Sequence, residues 1–288
     1  MNTHPDMPPV PPRHENTQEP ATSLWATWSP LAIIGLILVL MISNVILQGI
    51  FYALTGDLFL PAMLGAIGGV ILPLYILIQR LNLPFRYDFS LDRTHPWVLV
   101  ISGLVAIAAL APTSLLAQWS LHLQPPTPEW LAFMDQAMPT GALAIIMTIL
   151  TVVVVAPLAE ELLFRGLLHR LASRHWGPVM ATVISALFFG LIHGEPWYLF
   201  GLVGIGVVLA LVYEATGSIL ACWVTHMVHN AVSLGLMLWS NEATSEPVSI
   251  TLVDALIAGG SLVFLVLLLV YLFRAHRPTR TYENPDQT

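Results

Sequence analysis

The run VVVAPLAEELLFRGLLHRL, residues 153–171, joins an apolar stretch suited to a bilayer to two adjacent carboxylates, Glu160 and Glu161. An ionised carboxylate in hydrocarbon costs on the order of several kcal/mol unless something pairs with it. These two residues therefore lie outside the membrane or are kept inside it for chemistry. The rest of the chain decides between the two.

Hydrophobic residues make up 56% of the 288 residues and charged ones 9%, with a mean hydropathy of +0.77. Soluble domains carry about 25% charged residues, so this chain belongs in a membrane. The single cysteine, Cys222, excludes an intramolecular disulfide framework and leaves helix packing to hold the fold. The formal net charge of -7 says little about partners when most of the surface meets lipid, and no basic patch of the kind nucleic acid needs is present.

Apolar stretches free of charge fall at 31–54, 58–78, 97–117, 141–159, 177–193, 196–213, 216–240 and 255–273. Most have the roughly 17 to 25 residues that a spanning helix needs, and none alternates as a barrel strand would. The fold class expected is all-α, a polytopic membrane protein of about eight transmembrane helices. Residues 1–28, polar and rich in proline, read as a disordered N-terminal tail and not as a signal peptide. Residues 29–274 form the integral membrane domain and 275–288 a cytoplasmic tail. Pro61, Pro73, Pro112 and Pro157 are expected to kink their helices.

All ten basic residues are arginines, and eight spans place them on one side: Arg13, then Arg80, Arg86 and Arg93, then Arg165, Arg170 and Arg174, then Arg274, Arg277 and Arg280. The positive-inside rule then puts both termini in the cytoplasm, and the localisation expected is the cell's inner (plasma) membrane. On the opposite side, Thr127 and Pro128 open a short amphipathic helix with Trp130, Phe133, Met134 and Ala137 at helical spacing. The chain has no internal repeat of the transporter kind.

Few ionisable residues remain inside the spans: Glu160, Glu161, His193, His226 and His229, with Asn230 beside the last two. Arg165, four residues after Glu161, is spaced to neutralise it, whereas Glu160 is turned about 100° away and stays free. His226 and Asn230 share a face, as do Phe189 and His193. His229 reads as an interhelical hydrogen bond, and His169 and His175 as solvated loop residues near arginines.

A shielded carboxylate, two imidazoles and an amide can hydrolyse a peptide bond. Glu160 would act as general base, with His193 holding the same water. His226 and Asn230 would donate to the oxyanion. The same residues admit a second chemistry, because Glu160, His193 and His226 make up the two-histidine, one-carboxylate set of a catalytic zinc site. No HExxH enforces that alternative. A proton-coupled transporter and a non-catalytic membrane partner are the readings from other functional classes.

Three motifs stand in order on successive helices: EExxxR as Glu160, Glu161 and Arg165; FxxxH as Phe189 and His193; HxxxN as His226 and Asn230. Over about residues 140–240 the chain resembles the CPBP family of intramembrane proteases, which includes type II CAAX prenyl endopeptidases and bacteriocin-immunity proteins. The resemblance implies an eight-helix fold and a site opening toward the cytoplasm. It also implies Glu160 and His193 as water activators, His226 and Asn230 as oxyanion donors, and a prenylated CAAX-type or bacteriocin-related peptide as substrate. The family has been described both as metal-dependent and as glutamate-dependent without metal; the glutamate mechanism is the one expected here.

This reading contains a difficulty of depth. With a span ending at 159 and the next running from 177 to 193, Glu160 and His193 lie at opposite ends of their helices. Either the fourth helix continues past Pro157, taking Arg165 below the interface, or the connection dips into the protein.

Overall fold

The computed structural model describes residues 20–91, 94–240 and 249–275. Most of the expected tails, with Arg13, Arg93, Arg277 and Arg280, lies outside the described residues. Seven helices among them are long and apolar enough to cross a membrane. These are α1 (Pro30–Thr55), α2 (Phe59–Leu81), α3 (Pro96–Leu123), α4 (Ala142–Ile192), α5 (Leu199–Thr216), α6 (Ile219–Ser240) and α7 (Leu252–Ala275). The protein is an all-α polytopic membrane protein.

The 51 residues of α4 are not one rod. Gly177 has φ 79° and ψ 171°, a conformation an L side chain rarely adopts, and Pro178 follows it. The chain reverses there. His169 and Ser185, sixteen residues apart, meet at 3.1 Å, and the rings of Phe164 and Phe189 lie 5.3 Å apart. A straight helix would hold residues sixteen apart at about 24 Å. So 142–176 and 178–192 are two antiparallel legs of a hairpin, and they correspond to the fourth and fifth expected spans. The correction is to the first boundary, because this leg runs well past 159.

That extension resolves the question of depth. Glu161 and His193 stand the same number of residues before and after the turn, and so come level. The residues around 165–170, expected in a cytoplasmic loop, are interior: Arg165 and His169 are fully buried and Arg170 nearly so. An arginine buried in the bundle no longer reports topology. His175 is exposed as expected.

Two stretches of π-helix, 66–71 and 150–155, precede Pro73 and Pro157. A proline removes one backbone donor and crowds the carbonyl four residues back, and a widened turn relieves that crowding. At Pro112 the freed carbonyl of Ala108 accepts instead from Ser261 Oγ of α7 at 2.8 Å. Pro61 lies in the first turn of α2, where no bond is lost.

Helices in lipid gain little from burying apolar surface against each other and depend on close packing. A Cβ at Gly69 would stand 2.4 Å from Asn44 Cα on α1, and one at Gly201 2.8 Å from Ala117 Cβ on α3. These glycines serve contacts within the chain. Opposite the hairpin tip, Thr127 Oγ1 caps the short helix Pro128–Gln136 by accepting from Trp130 N, and the Trp130 ring packs on Trp197 at 4.6 Å.

The described arginines other than Arg165 gather at the tip end. Arg170 donates to the Tyr87 and Asp88 carbonyls and lies over the Trp25 ring, which Arg174 also approaches. Tyr271, near the end of α7, packs on Trp97 at the start of α3, which brings Arg274 to the same end.

Candidate active site

Glu160 and Glu161 close a short α-helical segment, 156–161, between two π-helical ones. Adjacent positions on a helix point about 100° apart, and the two carboxylates meet different environments. Glu161 is fully buried, and its Oε1 accepts from Arg165 Nη1 at 3.0 Å. The side chain of Glu160 keeps 28% of its exposure. Arg165 thus neutralises one carboxylate and leaves the other partly exposed, as the spacing suggested.

Both carboxylates face His226. Its Nδ1 lies 2.8 Å from Glu161 Oε1, and its Nε2 lies 3.7 Å from Glu160 Oε2. A carboxylate paired with arginine accepts, so the Nδ1–H donates and the tautomer is fixed. Nε2 then faces Glu160 at a separation longer than a hydrogen bond.

Phe189 is the wedge of the site. Arg165 lies over its ring at 5.0 Å, while His193 and His226 pack against it at 4.8 Å and 5.6 Å. His193 reaches the cluster through this ring, without direct contact with Glu160. Its Nδ1–H donates to the Phe189 carbonyl at 2.7 Å, which leaves the Nε2 lone pair as the one able to take a proton. Glu195, two residues on, is half-buried; burial pushes its carboxyl above the usual carboxylate range, and nearby His193 opposes the shift.

Asn230 on α6 donates through Nδ2 to the Val152 carbonyl at 2.9 Å, inside the widened turn before Pro157. The second N–H of the amide remains for another acceptor. His229 meets Thr113 Oγ1 on α3 at 3.3 Å, the interhelical role expected of it.

Among the described residues, no three histidine, cysteine, aspartate or glutamate side chains gather closely enough to hold a metal ion. Glu160, His193 and His226 form no such group as arranged, and both imidazoles pack against the Phe189 ring.

Residues 140–232 match the family model described as type II CAAX prenyl endopeptidase Rce1-like. The match covers the same region as the CPBP resemblance and supports it. The three motifs, from Glu160 to Asn230, all fall within it. A stretch of 105 residues is also 29% identical to an uncharacterized protein of Mycoplasma capricolum subsp. capricolum, covering 35% of this chain and 30% of that relative. The chain therefore spans less than a third of that relative's length. No solved structure matches the chain.

A buried polar contact nearer the hairpin tip escaped the sequence reading. His169 Nε2 lies 2.6 Å from Glu214 Oε1 on α5, and its Nδ1 meets Ser185 on the second leg. The available signal was spacing, since Glu161, Arg165 and His169 recur every four residues.

Proposed function

We propose that the chain is an intramembrane endopeptidase that hydrolyses a peptide bond near the membrane with water activated by Glu160 and His193. The observation that carries this reading is the convergence of two carboxylates on one imidazole, with Glu161 tied to Arg165 and Glu160 left partly open.

In this mechanism Glu160 takes a proton from water, and the resulting hydroxide attacks the scissile carbonyl. His193, with its Nε2 lone pair available, holds and orients that water. His226, with Nδ1–H on Glu161, turns Nε2 to the site and, when that nitrogen carries a proton, donates it to the oxyanion, and Asn230 offers its second amide proton. The proton held by Glu160 then passes to the leaving amine as the tetrahedral intermediate collapses. Every step uses groups of the chain itself.

The substrate class is a peptide or protein tail at the bilayer, of the prenylated CAAX type, with bacteriocin-related peptides the other class considered. The arginines gathered at the tip end of the bundle support a cytoplasmic position for that end and for both termini, in the inner membrane.

The test is cleavage of a prenylated CAAX-type peptide by the purified protein, with Glu160→Ala and a strong chelator in parallel arms. Cleavage lost in the variant and kept with chelator is expected. Loss with chelator would transfer the assignment to a metal enzyme, and full activity of the variant would sink the role of Glu160.

A further inference from the structure

The π-helical stretch of α4 from Leu162 to His169 has no proline to account for it. The two others among the described residues precede Pro73 and Pro157. A π turn amounts to about one extra residue in an α-helix, and it persists only where side-chain contacts compensate for the poorer backbone geometry. Here it begins directly after Glu161 and ends at His169.

Two side chains leave this stretch for α5. Arg165 Nη2 donates to the Gly206 carbonyl at 2.9 Å, and His169 Nε2 meets Glu214 Oε1 at 2.6 Å. The Gly206 carbonyl is approachable because a Cβ there would stand 3.0 Å from Ala186 Cα, so α5 lies hard against the second leg. His169 also meets Ser185 on that leg at 3.1 Å, and the Tyr213 ring packs edge-on against the imidazole at 5.3 Å. One fully buried imidazole therefore joins the first leg, the second leg and α5.

We infer that His169, through Glu214 and Ser185, is a positioning residue that holds the widened turn and so fixes the rotation at which Glu160 and Glu161 face His226. Rewinding this stretch to a regular α-helix removes about one residue's worth of helix, a rotation of about 100° between its ends. Arg165 lies inside the turn and links Glu161 to α5, so it carries the constraint from one end to the other. His169 touches no reacting group in the proposed hydrolysis.

The test has two halves, and only the kinetic half rests on the hydrolytic reading. With the full-length protein in detergent and a prenylated peptide, His169→Leu is expected to lower kcat by about tenfold to a hundredfold, the scale of small misplacements, with KM within about twofold. His169→Gln, which keeps a donor and an acceptor, is expected within about threefold of wild type. The second half is a thermal-unfolding cycle of His169→Leu, Glu161→Gln and the double variant. Their Tm shifts are expected to be non-additive, although the two side chains do not touch. Should His169→Leu fail to fold, Ser185→Ala replaces it in both halves, since it removes only one of the two partners. Additive shifts, or a kcat unchanged in the leucine variant, would overturn the inference. A wild-type protein that cleaves nothing would sink the hydrolytic reading while the thermal cycle still decides this one.

Discussion

Glu161 Oε1 is shared between Arg165 at 3.0 Å and His226 at 2.8 Å, so one buried oxygen joins the first leg of the α4 hairpin to α6. Its removal breaks an ion pair and frees the His226 imidazole together. Glu161→Gln is expected to destabilise the protein by about 3 to 5 kcal/mol, because the Arg165 guanidinium is left buried without its counter-charge. The double variant Glu161→Gln, Arg165→Met should regain part of that loss. Thermal unfolding in detergent reads both, and a single variant as stable as wild type would show the pair to be dispensable.

Glu160 separates chemistry from stability. It is partly exposed and its contact with His226 is long, so Glu160→Gln should leave Tm close to wild type. Peptide cleavage should nevertheless fall by about a hundredfold or more, the usual scale for loss of a general base. A parallel fall in Tm and activity would mean that its role is structural.

Asn230 is expected to act on turnover. Asn230→Ala should lower kcat by about a hundredfold to a thousandfold if its second amide proton meets the oxyanion. The lost bond to the Val152 carbonyl adds about 1 kcal/mol of destabilisation. Steady-state kinetics with the stability measurement tells the two effects apart, since a loss of stability alone would not lower the kcat of the folded fraction.

Glu195 gives the pH dependence. Its carboxyl is raised by burial, so stability is fully present below the ordinary carboxylate value and is lost as pH rises through the raised one. Glu195→Gln should therefore raise Tm at neutral pH, and the difference should shrink toward pH 4.5, the unshifted value. A Tm difference independent of pH would assign the effect to something other than ionisation.

Close packing predicts a contrast between two glycines. Gly69→Ala drives a Cβ to 2.4 Å from the Asn44 backbone and should destabilise α1 against α2, whereas at Gly35 nothing lies within 4 Å. Gly35→Ala is therefore expected within about 1 kcal/mol of wild type or better, from helix propensity alone. Equal Tm values for the two variants would contradict the packing.

The helical, membrane-embedded class of the protein was legible in hydropathy alone, because a bilayer admits few ways to satisfy a backbone. The partnership of Glu161 with Arg165, and the freedom of Glu160, followed from a spacing of four, which is local helix geometry. Three motifs in order pointed to the family before any contact was known. The sequence could not place the end of the fourth helix, because the charge of Arg165 marks an interface only while it is exposed, and here Glu161, Gly206 and Phe189 surround it. Nor could it bring Glu161 level with His193, which depends on a reversal at Gly177 that hydropathy does not register. His169 was lost for the same reason: beside arginines in sequence it resembles a loop residue, and only the meeting of both legs with α5 gives it Glu214 and Ser185. What spacing along one helix controls was decided by the sequence; what depends on which helices touch was decided by the tertiary structure.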